Sequence, residues 1–196
     1  MTEDSLHLNV WTSQPERGAR LPVIVWFHGG GFRTGSGTSI VYHGKELARK
    51  HGVVSLTVNH RLNALGNLYL AETGVDELRN SSNMAMQDLV LALEWVRDNI
   101  EAFGGDPGNV TVGGHSGGGG KTACLQAMPS AQGLFHRAIM ISTLAHTAIT
   151  VLEPDEAKES TEVLLRRLGL RANQVSELQS LPAEQIIAAL GPRTGE

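Results

Sequence analysis

Hydrophobic positions change their period along this chain, and each period predicts an element. Leu6, Leu8 and Val10 alternate with His7, Asn9 and Trp11, the two-residue repeat of a half-buried strand. A polar turn with Pro15 and Gly18 follows. Val23-Ile24-Val25-Trp26-Phe27 then runs without a polar break, as in a strand covered on both faces. Glycines at 29, 30, 31, 35 and 37 end it. Glu46 to His51 reads as a short helix, and Val53 to Val58 as the next buried strand. Leu89, Leu93, Val96 and Ile100 fall on one helical face, with Glu94, Arg97 and Asp98 off it. Gly104-Gly105-Asp106-Pro107-Gly108 stops that helix. Val110-Thr111-Val112 is a short strand running into Gly113-Gly114-His115-Ser116, with a helix expected to start within Gly117 to Lys121. Ala138 to Ile141 is one more apolar strand. From Pro154 the pattern is helical, with Val163, Leu164 and Leu168 in one segment and Ile186, Ile187 and Leu190 in another. Pro182 fits the start of the last helix.

Strands alternating with helices as far as residue 142 predict an α/β fold, a predominantly parallel sheet with helices on its faces. Residues 1–150 are expected to form its core and 151–196 a helical segment of the same domain. The length of 196 residues suffices for one full hydrophobic core, and 41% hydrophobic against 18% charged residues argues against disorder. The formal charge of −4, with no long basic run, leaves no electrostatic footprint for nucleic acid. Arg166-Arg167 reads as a solvated helix face. Cys124 is the one cysteine, so no intrachain disulfide can form; it reads as a packing residue. No stretch reaches membrane-span length, and Met1 to Val10 shows no signal peptide, which favours the cytoplasm while leaving the compartment open.

The 23 glycines bunch without a fixed period, which points to turns where backbone meets ligand. Gly114-His115-Ser116-Gly117-Gly118 fits G-x-S-x-G, in which a strand turns sharply into a helix and holds a serine hydroxyl out at the sheet's carboxyl edge. Alone, the pattern is equally a plain glycine-rich connection. A second, independent motif changes that balance. His28-Gly29-Gly30-Gly31-Phe32 follows a buried strand, and consecutive glycines let backbone N–H groups approach the oxyanion of a tetrahedral intermediate. Both glycine runs follow parallel-type strands, so they are expected at one sheet edge, with the N–H groups of Gly30, Gly31 and Gly117 near the Ser116 hydroxyl.

Gly117 to Thr122 invites comparison with a phosphate-binding loop. That loop needs glycine five positions before Gly120, where His115 stands, so the spacing fails by one. His7, His43, His51, His60 and His146 show no metal-ligand spacing and read as surface or loop residues. No metal or cofactor is expected.

Together these stretches resemble the type-B carboxylesterases, the cholinesterase-like branch of the α/β-hydrolases. Glu3 to Trp11 resembles the family's E-D-C-L-x-L-N-V-W, His28 to Phe32 its H-G-G-G-F, and Asn59-His60-Arg61-Leu62 its N-Y-R-L. Asn83, Asp88, Ala92 to Val96, Asn99-Ile100, Phe103 to Pro107, Val110-Thr111 and Leu134 to Ile139 continue the match over nearly the whole chain. The resemblance implies an α/β-hydrolase fold, incomplete at both ends with a helical C-terminal tail. It implies a cofactor-free reaction on a small-molecule ester, with Ser116 as acylated nucleophile and Gly30, Gly31 and Gly117 as the oxyanion hole. Glu3 and Arg61 resemble a structural ion pair of the family. Ser5 replaces a disulfide cysteine, and His115 and Gly117 replace the usual Glu and Ala.

In this fold the triad follows the order Ser, acid, His. After Ser116 the only histidines are His136 and His146, and no Asp or Glu lies between residues 117 and 146. The acid and histidine are therefore expected outside these 196 residues, and oligomeric state stays open. Two other readings stand beside hydrolysis: a non-catalytic cholinesterase-like binding domain, against which the intact Ser116 argues, and an inactive truncated fragment.

Overall fold

Five strands make one sheet in the order β1-β3-β2-β4-β5 among the residues that the computed structural model describes, 4–143 and 152–191. They are β1 (Leu8–Trp11), β2 (Leu21–Phe27), β3 (Val54–Val58), β4 (Gly105–His115) and β5 (Arg137–Ile141). β1 runs antiparallel to β3, and the other pairs are parallel. Between them lie α1 (Lys45–His51), α2 (Ala64–Asn67), α3 (Met84–Asn99) and α4 (Gly117–Ala127), and after them α5 (Pro154–Arg167) and α6 (Ala183–Leu190). The described residues group into two compact units, one of residues 5–60 with 86–143, the other of residue 4, 61–85 and 152–191.

In the first unit, strand register explains the core. Val23 stands beside Val54 and Val110, Val25 beside Leu56 and Val112, and Phe27 beside Val58. In-register neighbours point to the same side of a pleated sheet, so these residues make one continuous apolar layer. Leu89, Leu93 and Val96 of α3 pack into the same core, each fully buried, as does Ile100 in the 3-10 turn that extends the helix. The opposite side of β3 carries Ser55 and Thr57, buried and polar. Thr57 Oγ1 donates to the Gly37 carbonyl at 2.8 Å and accepts from Asn9 Nδ2 at 3.1 Å, so its burial leaves no unmet hydrogen bond. Gly44, just before α1, lies against Ser55 and Trp11.

β4 is longer than its apolar pattern predicts. Gly105 pairs with Leu21, the register then shifts, and regular pairing resumes at Val110 opposite Val23. The Asp106-Pro107-Gly108 stretch that reads as a helix stop is thus also a bulge inside a strand. At its other end β4 runs on through Gly113, Gly114 and His115, which pair with Ile139, Met140 and Ile141 of β5.

The second unit gathers Leu70, Leu78, Leu165, Val175 and Leu178 in a smaller core. On α5 the buried pair is Leu164-Leu165, while Val163 and Leu168 are only half-buried. The 3-10 stretch Ala172–Ser180 has no signal in the residue pattern; Val175 and Leu178 bury it one turn apart. α5 opens with a reciprocal capping box between Glu153 and Glu156. Arg166 and Arg167 are exposed, yet the Arg167 guanidinium donates to the carbonyls of Ala189 and Leu190 and so closes the end of α6. His146 and Glu3 lie outside the described residues. Among the described residues no helix is long and apolar enough to cross a membrane.

Candidate active site

Ser116 sits where β4 ends and α4 begins, at φ 57° and ψ −122°. A non-glycine residue there is strained, and the surrounding bonds hold it. Its N–H donates to the Ile141 carbonyl at 2.9 Å, and its carbonyl accepts from the Thr143 hydroxyl at 3.2 Å and the Gly120 N–H at 3.1 Å. The strand–turn–helix expected from the residue pattern is therefore present, with the turn at Ser116 and α4 starting at Gly117. Where α4 crosses the sheet, Gly118 lies against the Phe27 and His28 carbonyls, so the helix meets the end of β2 backbone to backbone.

The second glycine run stands beside this serine. A β-carbon placed on Gly29 would lie 3.7 Å from the Ser116 Cβ and 3.0 Å from the His115 carbonyl oxygen. One placed on Gly117 would lie 2.6 Å from the Gly31 nitrogen, so the alanine usual in the resembled family would need the two segments to move apart. Gly30 has φ 102°, closed to L side chains, and its carbonyl accepts from the N–H groups of Arg33 and Thr34. The Gly29 N–H donates to the Tyr42 hydroxyl at 3.2 Å. Among the described residues no acceptor takes the N–H groups of Gly30, Gly31 or Gly117. The His28–Phe32 turn and the serine thus share one sheet edge.

Beneath the turn lies a buried layer of cations and rings. The His28 ring is buried, its Nδ1 stands 2.7 Å from the Gly29 carbonyl, and it stacks on His60 with centroids 5.0 Å apart. Burial first, and then the nearby Lys121 charge, lower the His28 pKa to about 4, against the opposing bond to Gly29. The neutral ring therefore carries its proton on Nδ1 and donates to Gly29. Lys121 has no exposed surface; its Nζ donates to the His28 carbonyl at 2.9 Å and stands 5.5 Å from the Phe32 ring centroid. Burial lowers its pKa to about 7.

His60 lies in a loop, one of the two places its sequence reading allowed, but it is buried and stacked rather than at the surface. His136 is exposed and lies at the far end of β5, where its Nδ1 accepts from the Val110 N–H. By strand rise that is roughly 16 Å or more from Ser116. Cys124 is half-buried against the core, and burial raises its thiol pKa. Among the described residues no three His, Cys, Asp or Glu side chains gather as a metal site requires.

The sequence model of the carboxylesterase family matches residues 1–194. The chain belongs to the carboxylesterase family. It is similar to para-nitrobenzyl esterase of Bacillus subtilis (strain 168), with 40% identity over 96% of this chain and 37% of that protein. It is also similar to cholinesterase 1 of Branchiostoma lanceolatum, with 38% identity over 89% of this chain and 47% of the relative. Among solved structures, a Geobacillus stearothermophilus carboxylesterase superposes with a TM-score of 0.92 at 38% identity, covering 96% of this chain and 39% of that one. The fold is that of the α/β-hydrolases. The chain spans less than half the length of these carboxylesterase relatives.

Proposed function

We propose that these residues form the nucleophile half of a serine esterase that cleaves small carboxylic esters. Ser116 Oγ attacks the ester carbonyl carbon as its proton passes to a base, and the N–H groups of Gly30, Gly31 and Gly117 take up the negative charge on the carbonyl oxygen. The tetrahedral intermediate then collapses, the alcohol leaves with that proton, and an acyl-serine remains. Water then releases the acid. The observation that carries this reading is the strained Ser116 beside a glycine turn whose N–H groups have no other acceptor among the described residues. The name of the Bacillus relative supports an ester as substrate.

Attack by a serine hydroxyl needs a base to take its proton. His136 stands at the wrong end of β5, and burial together with the Lys121 charge holds the His28 ring at a pKa of about 4, too weak a base to take that proton readily. His146, like His136, has no Asp or Glu between it and Ser116, so by the Ser, acid, His order we place the base and its acid outside these 196 residues. This chain alone should hydrolyse esters at a rate about ten-thousandfold or more below a complete enzyme. The test is hydrolysis of p-nitrophenyl acetate by the purified chain, with Ser116→Ala as control. A trace rate lost in Ser116→Ala is expected. Fast turnover abolished by the substitution would put a base within the chain and overturn its assigned absence. A trace rate unchanged by Ser116→Ala would remove Ser116 as nucleophile.

A further inference from the structure

Lys121 is a charged element of this site that the reaction as derived does not use. A lysine with no exposed surface is costly, because its charge has left water. No carboxylate offsets that cost: among the described residues Lys121 makes no ion pair. Its contacts are the His28 carbonyl and the Phe32 ring. These two residues bracket Gly29, Gly30 and Gly31, so one ammonium group touches both ends of the glycine turn. The site is entirely within the sheet-bearing unit.

We propose that Lys121 is a positioning residue for the oxyanion turn: its Nζ clamps the His28 carbonyl beneath the Gly30 and Gly31 peptides and sets a buried positive charge behind their N–H groups. The inference rests on the esterase reading for its catalytic meaning, though not for its geometry. Fixing the His28 carbonyl fixes the plane of the peptide that leads into the turn, and hence the direction in which the following N–H groups point. The charge adds to theirs at the place where an oxyanion would form, in surroundings where electrostatic interactions are screened less than in water.

Because Lys121 titrates near neutral pH, the clamp should lose its charge in that range while retaining N–H donors. Two histidine rings stand close to it among the described residues. His28, at the end of β2, is the titratable neighbour whose proton affinity its charge lowers, and His60, after β3, stacks behind that ring. Both rings pack within the turn's own layer, and α4 contributes no other charged side chain.

The experiment follows the backbone amide signals of Gly30, Gly31 and Gly117 by NMR across pH 5–9 in the 196-residue chain, its Lys121→Met variant and its Lys121→Gln variant. In the native chain the Gly30 and Gly31 signals should shift with a midpoint near pH 7. Lys121→Met should displace both signals and abolish the inflection. Lys121→Gln, which keeps a donor for the His28 carbonyl and loses the charge, should restore the positions without restoring the pH dependence. The Ser116-dependent hydrolysis rate at pH 6 should fall about tenfold in Lys121→Met, less than for loss of a direct oxyanion donor. Glycine signals unmoved by Lys121→Met, or an inflection that persists in both variants, would overturn the proposal. If Lys121→Met fails to fold, the pH dependence in Lys121→Gln decides alone. The amide signals need no turnover, so failure of the esterase reading would appear separately, as hydrolysis indifferent to Ser116→Ala.

Discussion

The two units are held in different ways. At the site junction of the sheet-bearing unit the decisive contacts are backbone against backbone: Gly118 against the Phe27 carbonyl, Gly117 against the Gly31 nitrogen, the Ser116 amide on the Ile141 carbonyl. In the helical unit they are made by side chains: Leu165, Val175 and Leu178 in the core, the Glu153–Glu156 capping box, and Arg167 on the last turn of α6. Backbone contacts leave no room for an added atom. Side-chain contacts lose stability when an atom is removed. The site junction of the first unit should therefore fail by insertion and the second unit by deletion, although the apolar layer of the first unit is sensitive to deletion as well.

The sharpest way to break that contrast is Gly118→Ala. One methyl group would run into the Phe27 and His28 carbonyls, which belong to rigid strand-end backbone. We expect a loss of about 3 kcal/mol or more, read from urea unfolding. A variant as stable as the native chain would show that the junction between α4 and β2 yields easily.

Acid should act on the same junction. The folded His28 pKa of about 4 lies below the ordinary 6.5, so the unfolded chain binds this proton more readily. The contribution is intact above pH 6.5, declines as pH falls through the window from 6.5 to 4, and is gone below it. Its size is roughly 3 kcal/mol. Urea unfolding at pH 7 and pH 4.5, with the His28 ring carbons followed by NMR, checks both sign and cause. A ring already protonated at pH 6 would break the assignment.

The counterpart in the helical unit is Leu165→Ala, which empties a buried position. We expect about 2–3 kcal/mol, near the low end for such truncations because the cluster is small. Gly169→Ala, in the same unit, sharpens the comparison: space around it is open although its φ is 71°, so its cost should come from backbone strain alone, about 1 kcal/mol. A larger loss for Gly169→Ala than for Gly118→Ala would reverse the contrast.

Much of the sheet was legible because period and burial coincide. Val23, Val25 and Phe27 within the unbroken run and the 89-93-96-100 face belong to the buried layer, while Ile24 and Trp26, on the other side of β2, are only half-buried although the run suggested cover on both faces. The two glycine motifs point to a candidate site because the role we propose for them depends on the absence of side chains, which a sequence records directly. Less legible were features decided by neighbours distant in the chain. The bulge at Asp106–Gly108 depends on Leu21 across the sheet. The burial of His60 depends on the His28 ring. Lys121, seen first as part of a phosphate-loop pattern whose spacing fails, points inward because the His28 carbonyl lies within reach. A lysine on a glycine-rich helix start carries no sign of that direction in its own local pattern.

β5 gives the elbow a gauge. This strand lies at the edge of the described sheet, with Ile139, Met140 and Ile141 each more than two-fifths exposed, and its pairing with β4 ends with His115 opposite Ile141. The same Ile141 carbonyl takes the Ser116 amide. A slip of β5 by one residue would turn its side chains to the opposite faces and bring a different carbonyl to the serine. The accuracy with which Ser116 is aimed is therefore no better than the fidelity with which an exposed strand counts its steps along β4. An error of one residue there would misdirect Ser116, the nucleophile we propose, without any substitution around it.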